Sequence, residues 1–270
     1  MRNAVLYTVI VIGYYHLSFE LLEYLLLTEK VADIFLSFNK TYWSLLLYSI
    51  IYLFLVGIAL IFIKLYGVKR YPIIKVEKNI QTIAYLFLFV LLIRIIEDPF
   101  YRINMIMGDS IPVLNTNSET PFMELLSVIL GTVLLGPVYE ELLFRRIILN
   151  FYDKKYIAVG IVLSSLFFAL IHFNQSFSNH ISIFLKFIFG VIASLIYIRK
   201  GLFYSILFHV SYNFLWLIIN ENEKIYWSLI HKLHFGVWYW TIVLVSFGLI
   251  LYLGIIKLDI FKRKLVAQSL

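Results

Sequence analysis

The 270-residue chain contains no cysteine. That excludes disulfides, thiolate metal sites and a cysteine nucleophile. Charge is scarce as well: 14% of the residues are charged, against about 25% in a typical soluble domain. No hydrophilic block is long enough for a soluble domain, and there is neither an internal repeat nor a low-complexity tract. What fills the chain is apolar. Hydrophobic residues make up 62% and aromatic residues 18%, and the mean hydropathy is +0.90. The apolar runs recur at close to the roughly 20 residues needed to cross a bilayer.

These runs predict an all-α, polytopic membrane protein. Eight helices are expected at about 4–26, 43–65, 80–97, 122–151, 156–173, 180–198, 201–220 and 237–257, forming one membrane domain over 1–270. The first run carries His16, Glu20 and Glu23 and lacks a small-residue cleavage site, so it reads as a retained helix rather than a signal peptide. The net charge of +7 does not indicate nucleic acid, because the basic residues gather on one side of the expected helices. That side receives Arg2, Lys64 to Lys78, Arg145, Arg146, Lys154, Lys155, Arg199, Lys200 and Lys257 to Lys264. The other receives only Lys30, Lys40, Arg102, Lys224 and Lys232. The positive-inside rule then places both termini in the cytoplasm of a multi-pass cell-membrane protein. The tyrosines and tryptophans, including "VWYW" at 237–240, read as an interfacial belt. Gly160 with Ser164 and Gly190 with Ser194 are small pairs that permit close helix approach.

Against this background "GPVYEELLFRR", residues 136–146, stands out. An ionisable residue at the bilayer centre costs about 2.5–3.5 kcal/mol on insertion scales, and it normally marks a functional or paired site. Adjacent helical residues point about 100° apart, so Glu140 and Glu141 cannot share a task. Glu141 has Arg145 at i+4, the favourable order for an ion pair. Glu140 has Phe144 there, and must find its partner on another helix or in water. Pro137 removes a backbone hydrogen bond just before it, which predicts a kink.

Two other helices offer partners. "FFALIHF" places Phe168 and His172 four apart, and "FHVSYNF" places His209 and Asn213 four apart. Singly, each suits interhelical hydrogen bonding. Their depths agree, however. At about 1.5 Å per residue, Glu140 and His172 lie roughly 20–25 Å from the turn near Asp153, and Asn213 lies roughly 20 Å from the turn near Lys200. A carboxylate, two imidazoles and a carboxamide at one level form a hydrolytic set. Arg94 with Glu97 reads as a local pair, and Lys186 is left inside its helix without an assigned partner.

"EELLFR", "FALIH" and "HVSYN" resemble the EExxxR, FxxxH and HxxxN motifs of the CPBP intramembrane proteases, the Abi or CAAX-protease family that includes Rce1-type prenyl endopeptidases. The resemblance covers about 120–220, where it implies a catalytic core. It departs mildly at Arg146, where a small residue is usual. It implies a membrane-embedded endopeptidase in which Glu140, helped by His172, activates water, while His209 and Asn213 stabilise the oxyanion. Glu141, Arg145 and Phe168 would be structural support. A membrane-associated peptide or protein would be the substrate. Cofactor use stays open: no cofactor is needed for a glutamate-type mechanism, whereas Glu140, His172 and His209 are the candidates for one divalent metal such as zinc. The alternative is a non-catalytic membrane partner, such as a bacteriocin self-immunity protein or a sensor-kinase scaffold. A proton relay through Glu140, His172, Glu20, Arg94, Glu97 and Lys186 is a third reading, which no inverted repeat supports.

Overall fold

The computed structural model describes residues 4–13, 40–65, 79–101, 106, 122–172, 180–222, 225–226, 228–229, 233 and 235–260. The described residues are all-α. We label the helices α1 (Ala4–Gly13), α2 (Lys40–Leu65), α3 (Ile80–Tyr101), α4 (122–151), α5 (Ile157–Ile171), α6 (His180–Lys200), α7 (Leu202–Glu221) and α8 (Val237–Lys257). Six of the described helices, α3 to α8, are long and apolar enough to cross a membrane. The protein is a polytopic helical membrane protein. His16, Glu20 and Glu23, in the remainder of the first expected helix, lie outside the described residues.

The bundle is built by neighbour packing: α5 on α6, α6 on α7, α7 on α3 and α3 on α8, with α2 laid along α4. Many large apolar side chains stay on the outer surface, among them Leu53, Phe54, Leu244 and Phe247. A water-soluble protein does not display such a surface, whereas a helix facing lipid does. The small pairs act where the sequence placed them, each against a specific neighbour. A Cβ on Gly190 would lie 3.0 Å from the Ser165 backbone, so α5 and α6 meet at hydrogen-atom contact there. A Cβ on Gly160 would lie 2.8 Å from the Tyr152 ring, the side chain that folds back from the turn after α4. Ser164 ties α5 to α4 by donating to the Phe144 carbonyl at 2.9 Å.

α4 is not a regular helix. π-helical turns at Ile129–Leu135 and Leu142–Ile147 flank the α-helical Gly136–Glu141, and a 3₁₀ turn closes it at Ile148–Phe151. π-turns within α-helices occur frequently at functional sites, because the inserted residue re-aims the side chains around it. Here two of them bracket the adjacent carboxylates.

Two expectations need correction. Arg145 and Arg146 belong to the buried interior, so they do not contribute to a basic loop. The asymmetry of the remaining basic residues keeps its sign. Within "VWYW", Val237 and Trp238 are exposed as a belt requires, but Tyr239 is buried and donates its hydroxyl to Asp98 at 2.8 Å.

Candidate active site

Glu140, His172, His209 and Asn213 line one cavity of about 540 Å³. It also reaches Asp98 and Tyr101 at the end of α3, and Ile219 and Asn220 at the end of α7. The site therefore lies towards one end of the bundle, away from the turn at 151–156.

His209 is the centre of the arrangement. Its Nδ1–H donates to Oε1 of Glu141 at 3.0 Å, and its Nε2 lies 3.7 Å from Oε2 of Glu140. The two adjacent carboxylates thus address opposite nitrogens of a single ring. The imidazole is also boxed by aromatic rings, with Phe189 at 4.8 Å and Phe168 at 5.7 Å, both edge-on. Its orientation is determined from behind and from the sides, which leaves Nε2 facing Glu140.

The ion pair read from the sequence is present. Arg145 Nε lies 3.3 Å from Oε2 of Glu141, and both side chains are fully buried. The guanidinium stacks over Phe168 at 4.8 Å and donates from Nη2 to the Gly190 carbonyl at 3.3 Å. Glu141 has two further partners that i,i+4 spacing does not disclose: His209, and the Ser205 hydroxyl at 2.5 Å. Support from Arg145 and orientation of His209 therefore pass through one carboxylate.

His172 caps α5. Its Nδ1–H donates to the Phe168 carbonyl at 2.8 Å, and its ring packs 4.8 Å from that of Phe168. In the neutral ring, Nε2 is then a free acceptor. The imidazole within ion-pairing range of Glu140 is that of His209. Oε2 of Glu140 is buried and makes no hydrogen bond among the described residues, so it is a bare acceptor on the cavity wall.

Asn213 is held by a backbone feature of α4. In the first π-turn the Gly136 N–H bonds to the Gly131 carbonyl. The next bond in that series would run from residue 137 to the Thr132 carbonyl, but Pro137 has no N–H. The Asn213 side chain takes that place, donating from Nδ2 to Thr132 O at 2.8 Å. One amide hydrogen of Asn213 is thus committed and the other is available. The proline expected to kink the helix also releases the carbonyl that docks the carboxamide.

The sequence reading brought Arg94, Glu97 and Lys186 together with Glu140 only as a relay, and it missed Tyr212, which completes a second polar wall. Tyr212 donates to Glu97 at 2.6 Å and accepts from Arg94 Nη1 at 3.0 Å, and Arg94 meets Glu97 at 3.0 Å. Arg94, Tyr212 and Lys186 all line the same cavity. The i,i+3 spacing of Arg94 and Glu97 revealed their pairing. Tyr212, three residues after His209 and thus on its helix face, was the available signal that this pair belongs to the site. Among the described residues no group of three His, Cys, Asp or Glu side chains is arranged to hold a metal ion. Glu140, His172 and His209 accordingly do not fit a zinc-ligand set in this geometry.

Residues 122–215 match the family model described as type II CAAX prenyl endopeptidase Rce1-like. The match runs from the start of α4 into α7 and contains all three motifs. Over this segment the chain is similar to the CPBP/CAAX protease family. No curated protein and no solved structure matches the chain.

Proposed function

We propose that the protein is an intramembrane endopeptidase that hydrolyses a peptide bond in a membrane-associated peptide or protein, with Glu140 as general base. The observation that carries this reading is the placement of Glu140 and His209 3.7 Å apart on a cavity wall, with His209 fixed from behind by Glu141 at 3.0 Å. Water held between the bare Glu140 oxygen and the Nε2 acceptor of His172 loses a proton to Glu140. Its oxygen attacks the carbonyl carbon, and negative charge develops on the carbonyl oxygen. The uncommitted N–H of Asn213 is a donor to that oxyanion, and the His209 ring, whose Nε2 faces the cavity side of Glu140, stands beside it. Glu140 then delivers its proton to the departing amine as the C–N bond breaks, leaving a carboxylic acid and an amine.

Each of these steps uses side chains alone, so the reading is a glutamate-type protease without a metal. The purified protein should keep cleaving after chelation. Loss on chelation that zinc restores would instead make Glu140, His172 and His209 ligands. The direct test is Glu140→Gln, a near-isosteric change. It should leave the thermal unfolding profile in detergent intact and abolish cleavage, whereas a variant that still cleaves overturns the assignment.

A further inference from the structure

The cavity carries more positive charge than the proposed chemistry uses. Arg94 on α3 and Lys186 on α6 both line it, yet neither belongs to the hydrolytic set. Keeping two cations within membrane-spanning helices is costly, so each calls for a compensating group. Arg94 has one in Glu97, and it is held rigidly over the Tyr212 ring at 4.9 Å and the Tyr101 ring at 5.6 Å. Its Nε is nonetheless buried without a hydrogen bond among the described residues.

Neither remaining acid on the wall is paired with Lys186. Asp98 accepts from the hydroxyls of both Tyr226 and Tyr239. Glu140 faces His209. Lys186 is left with no ion pair and no hydrogen bond among the described residues, although it feels the field of Glu140 and Glu97. An ammonium and a guanidinium lining one cavity, the guanidinium donating to the Tyr212 hydroxyl at 3.0 Å, make a receptor for a planar anion.

We propose that Lys186, with Arg94 lining the same cavity, is a subsite for a carboxylate of the peptide that enters the cavity, and so sets which peptides bind. Such a carboxylate would neutralise Lys186, and it would hold the scissile bond at a set distance from Glu140. The anion is either the free C-terminus of the peptide or an acidic side chain near the cleaved bond. The chemistry of the subsite is the same for both. This inference rests on the protease reading for its choice of ligand, and its test is a binding measurement that needs no turnover.

The probes are labelled hexapeptides in four forms: free C-terminal acid or amide, each with Asp or Asn at an internal position. Their affinities would be measured by fluorescence anisotropy with detergent-solubilised Glu140→Gln protein, which keeps the peptides intact. Acid forms should bind about tenfold or more tightly than their neutral counterparts, as a charge-assisted hydrogen bond allows. That preference should vanish in the additional Lys186→Met variant and return in Lys186→Arg, which guards against misfolding. Whether the C-terminal or the Asp pair carries the preference identifies the source. Equal binding of acid and neutral forms, no binding of any form, or a preference that survives Lys186→Met overturns the proposal. Absence of cleavage by the wild-type protein, with the binding preference intact, would sink the protease reading and leave the subsite standing.

Discussion

Among single residues, Glu141 holds the most of the site together. It neutralises Arg145, accepts from Ser205 and orients His209, all in a fully buried position. Glu141→Gln should therefore fail in two separable ways. Cleavage should fall by about 10²-fold or more, as when the carboxylate orienting a catalytic imidazole is neutralised. Stability should fall by about 3–5 kcal/mol, because Arg145 is left as an uncompensated buried charge. Arg145→Met should show the stability loss with a smaller effect on cleavage per folded molecule. Equal activity losses in the two variants would contradict the orienting role. Pro137 gives a finer test. Pro137→Ala restores an N–H that competes with Asn213 for the Thr132 carbonyl, so kcat should drop by about tenfold with little change in KM or thermal stability. That is short of the 10²–10³ lost when an oxyanion donor is deleted outright. A drop in stability without a kcat effect would assign the proline a purely structural role.

Helices set where these residues can stand. The positions of α3 to α8 were legible within a few residues, because long apolar runs separated by short polar turns leave a membrane chain few choices. The convergence of Glu140, His172, His209 and Asn213 on one cavity was legible too, since rise per residue fixes depth. The π-turns were not. Nothing in "ILGTVLL" or "LLFRRI" distinguishes an i→i−5 bond from an i→i−4 bond, and only Pro137 hinted at irregularity. The part of Tyr212 in the second wall was missed because depth alone does not tell which helix faces which. That Arg94 on α3 meets Tyr212 on α7 is a fact of packing. The tightest packing offers its own test. Gly190→Ala puts a methyl 3.0 Å from the Ser165 backbone, which cannot rotate away, and disturbs the carbonyl that accepts from Arg145. It should cost about 1–3 kcal/mol of stability, as overpacking does. Gly248→Ala in α8, where a Cβ would meet nothing within 4 Å, should be neutral. Indistinguishable unfolding midpoints for the two variants would contradict the close approach of α5 and α6.

For the whole molecule, the cavity lies where α3, α5 and α7 end, opposite the basic turn at 151–156. With both termini in the cytoplasm, as the asymmetry of basic residues proposes, the site opens towards the outer leaflet. The absence of cysteine makes this simple to test. In intact cells an impermeant thiol reagent should label Asn220→Cys and spare Lys155→Cys, both exposed positions at opposite ends of the bundle. The reverse pattern would turn the molecule over and place the site at the cytoplasmic face. The protease reading requires that this cavity cut peptide bonds. The most direct measurement compares peptide termini in membranes holding equal amounts of wild-type or Glu140→Gln protein. New termini that appear only with the wild type, from a membrane-associated peptide or protein, are the predicted result. Identical termini in both membranes, together with a wild-type phenotype that the variant supports equally well, would contradict it.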